Sequence, residues 1–422
     1  MEIQSFTDLH LIEPLARAVK EAGFTIPTPI QAKTIPHLLA GTDVIGCAET
    51  GTGKTAAFAL PILQRLFAAG QKKASRKGAR ALVLTPTREL TAQVEESFRK
   101  LGKHLSLRTA LVFGGVSQFH QVRAMSQGVD VLVATPGRLL DLIQQKYIQL
   151  SEVEYLVLDE ADRMLDMGFL PPIKKIVAML PKARQTLLFS ATMESSVLSL
   201  AKTLLQNPVH VTVQQASPIV ERLEESILFV DDANKRNLLS VLLKEKEKKR
   251  TLVFTRTKHR ADQVAKHLEK SSIRTRAIHG NKSQNFRNAA LADFRSGRCD
   301  VLVATDVASR GIDVTNITHV INFDLPSDPS NYIHRVGRTA RAGTSGSAIS
   351  FCASGDRSIL RDIERLLKRS VTIQKEHPYH SEEVAGENTR SVRASSSRPR
   401  RFQGSSRQPQ GRSRFRGHRK GQ

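Results

Sequence analysis

The chain has 422 residues, with 64 Lys and Arg against 40 Asp and Glu, a formal net charge of +24 and no tryptophan. That length exceeds what one hydrophobic core covers, so two globular domains plus a tail are expected. Cys47, Cys299 and Cys352 form no pair pattern and no metal spacing, no signal peptide is visible, and no apolar run reaches membrane-spanning length; together these suit a reducing, cytoplasmic setting.

In chain order, short apolar runs predict strands at Asp43–Cys47, Ala81–Thr85, Thr109–Phe113, Val129–Thr135, Tyr155–Asp159 and Thr186–Ser190. Helical patterns separate them, among them Lys54–Phe67, Glu89–Leu101 and Gly137–Gln144. The scheme then repeats, with strands at Ser226–Val230, Arg250–Thr255, Thr275–His279, Val301–Thr305, His319–Phe323 and Ser347–Phe351, and helices at His259–Ser271 and Gln284–Phe294. Continuous apolar strands alternating with helices predict an α/β chain with two open parallel sheets, each covered on both faces. The polar, proline-bearing stretch before Arg222 divides it: domains at 1–207 and 223–375, a linker at 208–222 and a tail at 376–422. Lys244–Arg250 reads as a solvated loop. Ligands of such sheets sit at the carboxyl ends of the strands, here in the cleft between domains.

Almost every polar cluster falls there. Ala48-Glu49-Thr50-Gly51-Thr52-Gly53-Lys54-Thr55 is a phosphate-gripping loop, although Ala48 stands where the pattern has Gly. Its glycines let backbone N–H groups of Thr50 to Gly53 close around phosphate oxygens, Lys54 adds a point charge, and Thr55 offers its hydroxyl to Mg²⁺. Asp159-Glu160-Ala161-Asp162 follows a strand: Asp159 suits Mg²⁺, and Glu160 is placed to orient or deprotonate the attacking water. Arg335, Arg338 and Arg341 in His334-Arg335-Val336-Gly337-Arg338-Thr339-Ala340-Arg341 could decorate a surface; beside a nucleotide site in the other domain they read as arginine fingers.

At this point the chain resembles the DEAD-box RNA helicases of superfamily 2, over about Phe6 to Lys375. Gly23-Phe24-Thr25-Ile26-Pro27-Thr28-Pro29-Ile30-Gln31, with Phe6 upstream, is similar to the Q motif. Pro86-Thr87-Arg88-Glu89-Leu90, Gly114-Gly115, Thr135-Pro136-Gly137-Arg138 and Ser190-Ala191-Thr192 also match. So do Val253-Phe254-Thr255, His279-Gly280 with Gln284 and Arg287, and Ala304-Thr305-Asp306 through Arg310-Gly311-Ile312-Asp313. His259, the Ala277–Gln284 stretch and Leu360–Glu364 resemble the bacterial RhlE group.

The resemblance implies two tandem RecA-like domains and ATP, with Mg²⁺, as the nucleotide: Gln31 reads adenine, Phe24 stacks on it, and Asp313 touches ribose. It puts Arg338 and Arg341 at the finger positions. Asp162, Ser190, Thr192, His334 and Arg335 then relay closure between domains. Pro86, Thr87, Arg88, Gly115, Thr135, Pro136, Gly137, Arg138, Thr255, Gly280, Arg287, Thr305, Asp306 and Arg310 become RNA contacts. The helix starting near Gly137 is similar to the wedge that bends one strand. Ala340 and Ser309 depart from residues common in the family, Gly and Ala, and imply altered rate or coupling.

Thr, Gly and Arg clusters suit backbone phosphates and 2′-hydroxyls, and aromatics at 5% leave few stacking platforms, so sequence-independent RNA binding is expected. Arg390 to Gln422 holds ten Arg, one Lys and no acid, a disordered tail that adds salt-sensitive grip. Ribosomal or RNA-decay proteins are the partners open to such a chain. Two rivals stand beside this reading: a DNA translocase, and an ATP-gated RNA clamp or chaperone with annealing activity.

Overall fold

The computed structural model describes residues 3–48, 51–70, 74–213, 223–245, 250–306, 317–340 and 345–386. Among them the first sheet comprises β1 (Val44–Cys47), β2 (Ala79–Leu84), β3 (Thr109–Val112), β4 (Val129–Ala134), β5 (Tyr155–Leu158), β6 (Gln185–Ser190) and β7 (Val209–Thr212). Its order is β3-β4-β2-β5-β6-β1-β7, and every pairing is parallel. The second comprises β8 (Leu223–Phe229), β9 (Thr251–Phe254), β10 (Thr275–Ile278), β11 (Val301–Ala304), β12 (His319–Asn322), β13 (Gly346–Cys352) and β14 (Thr372–Ile373). Its order, β10-β11-β9-β12-β13-β8-β14, repeats the first position by position, so β8 stands where β1 does and β12 where β5 does.

The strands form because both their faces are buried. On β2, Ala81 and Val83 join Phe58, Val94 and Phe98 on one side, while Leu82 and Leu84 join Leu139 and Met164 on the other. A strand apolar on both faces is stable only inside two helical layers. Burying each such side chain contributes about 1.5–3 kcal/mol. Both sheets then send their loops out at carboxyl edges, and the polar clusters ride on those loops.

Two boundaries differ from expectation. The stretch expected to open the linker at 208 instead adds β7 to the sheet, with Val209 beside Val44. Only Val211 of that strand is buried, so its half-exposed pattern reads as a connection. The tail expected to be disordered from 376 packs on the second domain through Gly386. Tyr379 lies against one core cluster, Val384 is buried in another, and the Ser381 N–H donates to the Phe229 carbonyl at 3.2 Å. Single apolar residues in a polar segment suffice when a finished sheet offers them a seat. Residues 387–422 and 214–222 lie outside the described residues. Among the described residues no helix is long and apolar enough to cross a membrane.

Val384→Ala should destabilise the second domain by roughly 1–3 kcal/mol, the cost of a small core cavity. Calorimetry of the full chain should show a lowered transition; an unmoved Tm would mean that residues 376–386 add nothing to the fold.

Candidate active site

β1 feeds the phosphate loop into the helix Lys54–Ala68. Gly51 and Gly53 sit at φ of 89° and 93°, where a side chain would be strained. Lys54 is buried and its Nζ donates to the Ala48 carbonyl at 2.8 Å, which folds the loop back on β1. Gln31 braces the far end: its Oε1 accepts from Thr28 N–H at 2.9 Å and its Nε2 donates to the Gly53 carbonyl at 3.1 Å. Phe24 is 39% exposed and stacks on Phe6 with ring centroids 6.2 Å apart, which leaves a face for a flat ligand. A core role for Phe24 does not fit that exposure.

β5 delivers two adjacent buried carboxylates with opposite electrostatics. Asp159 is 2% exposed, and its Oδ1 has no hydrogen-bond partner among the described residues. Burial pushes its carboxyl up to about 7, with Lys54 pulling the other way and Glu160 adding to the rise. Glu160 sits in the left-handed region at φ 55°, strain of the kind found at functional loops. Burial would raise its carboxyl too, but Arg163 and Lys54 outweigh that and hold it at about 2. Arg163, one helical turn on, pairs with Glu160 directly. An orphaned buried carboxylate oxygen is a donor that a hard divalent cation fits, and Thr55, in the first turn of the following helix, supplies a hydroxyl of the right kind.

Asp162 ties this loop to the end of β6. Its Oδ2 accepts from the Ala191 and Thr192 N–H groups at 3.0 Å each and from the Thr192 hydroxyl at 3.3 Å. Ser190 is fully buried, and its carbonyl accepts from Ala48 N–H at 3.0 Å, so the same strand also touches the phosphate loop. Across the cleft, His334 and Arg338 stand on or just past the helix Ser330–Val336. Burial and then Arg163 lower the His334 imidazole, with Asp162 opposing them, and Arg338 is among the charges that depress Glu160. The Arg338 Nε donates to the His334 carbonyl at 3.3 Å.

The other edge of the cleft is closed by a buried lock. Glu89, after β2, meets Arg287 at 2.9 Å and the Gln284 amide at 3.0 Å, both on the helix Gln284–Arg295 after β10. Arg88 reaches Gln284 at 3.5 Å and lies over Gly115, where a Cβ would overlap its guanidinium. Arg138 donates to the Val116 carbonyl at 3.3 Å from both terminal nitrogens. Pro86 is buried, Thr87 caps the helix Arg88–Leu101, and Thr135 and Pro136 begin the helix Pro136–Gln144. A Cβ on Gly137 or Gly280 would meet open space, so their backbones are accessible. Thr255 and Thr305 sit where β9 and β11 end.

Arg335 takes a different place from that expected. Among the described residues its polar and ring contacts lie in the second domain: both Asp306 carboxylate oxygens at 2.6 and 2.7 Å, Asn322 at 3.1 Å, the Asp324 carbonyl at 2.6 Å and the face of Phe254. It fixes the base of the β11 and β12 loops, and it occupies the Asp306 carboxylate. Thr50, Arg310, Asp313 and Arg341, like Ser309, lie outside the described residues. Ala340 is buried at φ 54°, a conformation that costs a non-glycine residue about 1–2 kcal/mol. Arg163 and the locking role of Gln284 escaped the sequence reading. The spacing of Glu160 and Arg163 three apart was the available signal for the first; nothing local marks the second.

Residues 28–200 match the sequence model of the DEAD/DEAH box helicases, and 234–343 that of the helicase conserved C-terminal domain. Among curated proteins, the DEAD-box ATP-dependent RNA helicase CshA of Bacillus cereus is 41% identical over 367 residues, covering 87% of this chain and 69% of that one. Among solved structures, S. cerevisiae Dbp5 bound to RNA and ADP BeF3 superposes with a TM-score of 0.78 at 32% identity, covering 88% and 95% of the two chains. A DEAD box protein from Methanococcus jannaschii is 37% identical, over 89% and 100% of the chains, yet scores 0.51.

Glu89→Ala should strip the buried Arg287 guanidinium of its counter-ion, a change that typically costs 3–5 kcal/mol. Fluorescence transfer between labels on the two domains should report a much smaller closed fraction in the variant with nucleotide and RNA. An unchanged closed fraction would remove the lock from the argument.

Proposed function

The chain belongs to the DEAD-box ATP-dependent RNA helicases, and from that premise we propose that ATP-driven closure of its domains bends one RNA strand and separates short duplexes locally. The observation that carries this reading is that both edges of the cleft close together. Glu89 is gripped by Gln284 and Arg287 on one edge, while His334 and Arg338 bear on Asp162 and Glu160 at the other.

In this reading Gln31 reads the adenine edge with the N–H and lone pair that Thr28 and Gly53 leave over, and Phe24 covers the ring face. Asp313 contacts the ribose. The loop from Thr50 to Gly53 and Lys54 cradle the phosphates. Thr55 and Asp159 hold Mg²⁺, which when bound neutralises phosphate charge and orients the γ-phosphoryl. Glu160 stays ionised because Arg163 and Lys54 hold its carboxyl low. With so low a pKa it orients the attacking water by hydrogen bonding more than it stores the proton. Arg338 and Arg341 neutralise charge on the transferring phosphoryl, a contribution of about 10³–10⁵ in rate. Asp162, Ser190, Thr192 and His334 sense closure, and Arg335 holds the loop that presents Arg338.

RNA would be contacted by Pro86 to Arg88, Gly115, Thr135 to Arg138, Thr255, Gly280, Arg287, Thr305, Asp306 and Arg310, a reading supported by the open backbones of Gly137 and Gly280, with the Asp306 carboxylate itself taken by Arg335. Contacts to sugar and phosphate carry no sequence information, so recognition is general. Since ATP and RNA both favour the closed state, each tightens the other's binding. Phosphate release reopens the cleft, which suits single local strand separations rather than processive travel. The setting is cytoplasmic, with ribosome assembly, RNA decay or other RNA remodelling as its work, in the manner of the bacterial RhlE group.

Steady-state ATPase activity should rise with single-stranded RNA, not with DNA of matching sequence, and should vanish in Glu160→Gln. Equal stimulation by DNA would favour a translocase; none by either would favour a clamp that hydrolyses independently of nucleic acid. Deleting residues 390–422 should flatten the salt dependence of RNA binding, by about 0.7 log unit per lost phosphate contact, and spare RNA-free hydrolysis. Loss of that basal activity would refute the separation of tail from core.

A further inference from the structure

Lys235 is the first residue of the helix that follows β8, the topological position that Lys54 holds after β1. Its surroundings are the reverse. Lys235 is buried against Asp356 at 3.0 Å, Asp232 at 3.6 Å and Asp324 at 3.7 Å, with Asp324 following β12 as Asp159 follows β5. Carboxylates from the chain itself fill the place where a phosphate would sit, so no nucleotide binds inside.

Immediately outside, between the helices Lys235–Glu245 and Lys258–Lys270, runs a groove of two adjoining cavities of about 330 and 240 Å³ that share Arg236 and Gln263. Arg236, Lys266 and Lys270 line it, exposed and without an ion pair among the described residues, and His259 and His267 stand between them. Among the described residues its one carboxylate, Asp232, is already paired with Arg260 and Lys235. Burial and the charges of Arg236 and Lys270 lower the His267 imidazole, as expected in a positive field. The mouth of the groove is Thr257, whose carbonyl accepts from Thr255 of the RNA edge at 3.3 Å.

We propose that this groove is a second polyanion site, which takes the sugar-phosphate backbone of an RNA strand as it leaves the cleft past Thr257. The inference rests on the RNA-helicase reading above. Single phosphodiesters each need one exposed cation, and the groove presents Lys266 and Lys270 one helical turn apart, about 6 Å at 1.5 Å per residue, with Arg236 lining the same groove from the helix Lys235–Glu245. A nucleoside triphosphate would need the buried lysine that Asp356, Asp324 and Asp232 hold.

The test uses the full chain carrying R236Q/K266Q/K270Q, which changes only exposed side chains, with thermal melting as the fold control. Fluorescence anisotropy with labelled oligouridylates should separate a strand confined to the cleft, about 8 nucleotides, from one of about 25 that can reach further. The variant should bind the longer strand roughly tenfold more weakly, with a salt slope flatter by about 2, the value for three lost contacts. Its affinity for the short strand, and ATPase stimulated by that strand, should stay as in the unsubstituted chain. Unchanged binding of the long strand would overturn the groove proposal, and would leave the groove to an acidic protein segment. Equal weakening on both lengths would overturn it as well. Failure of any RNA to stimulate the unsubstituted chain would instead sink the helicase reading itself.

Discussion

One buried ion pair, Glu89 with Arg287, ties the loop after β2 of the first sheet to the helix after β10 of the second. Such a pair adds little net stability, because desolvating both charges costs nearly as much as their attraction returns. Its effect is selective. Each charge is costly to bury without the other, so the closed arrangement is favoured only when the helix Gln284–Arg295 arrives in register with the loop after β2. The Gln284 amide completes the geometry by donating to the same oxygen of Glu89. A contact of this kind is specific without being strong.

At the opposite edge, two neighbouring carboxylates of equal burial are driven apart by their companions. Arg163 belongs to Glu160, and no donor reaches the Asp159 Oδ1 among the described residues. The pair thereby differs before any ligand arrives: burial pushes the Asp159 carboxyl up to about 7, while Arg163 and Lys54 hold Glu160 at about 2. The strained backbone at Glu160 is compatible with this, because the Asp162 bonds to Ala191 and Thr192 anchor the turn from the other side.

The sheets were legible because their strands are apolar on both faces; β2, β4 and β6 were readable within a residue or two at each end. The edge strands β7 and β14 were not, although the edge strands β3 and β10 were, because only Val211 of β7 is buried and Thr372 and Ile373 are both exposed. Local motifs likewise announced Lys54, Asp159 and Glu160, whose chemistry lies within a few residues of chain. The partners of Glu89 lie 195 and 198 residues away, and no spacing rule reaches that far. Arg335 shows the converse: its place in an arginine-rich run pointed at the cleft, while its planar fork matched Asp306 inside its own domain. Tyr379 and Val384 were lost in polar surroundings for want of any periodic pattern.

The carboxylates around Lys235 carry a consequence for how the molecule counts. Two sheets of identical strand order present two equivalent loops, and in one of them the chain supplies its own permanent anion. The loop around Lys54 holds no such internal anion, whereas its twin is sealed when the protein folds. On the proposed reading that leaves one nucleotide per chain, with the second domain a lever on a single firing chamber rather than a second engine.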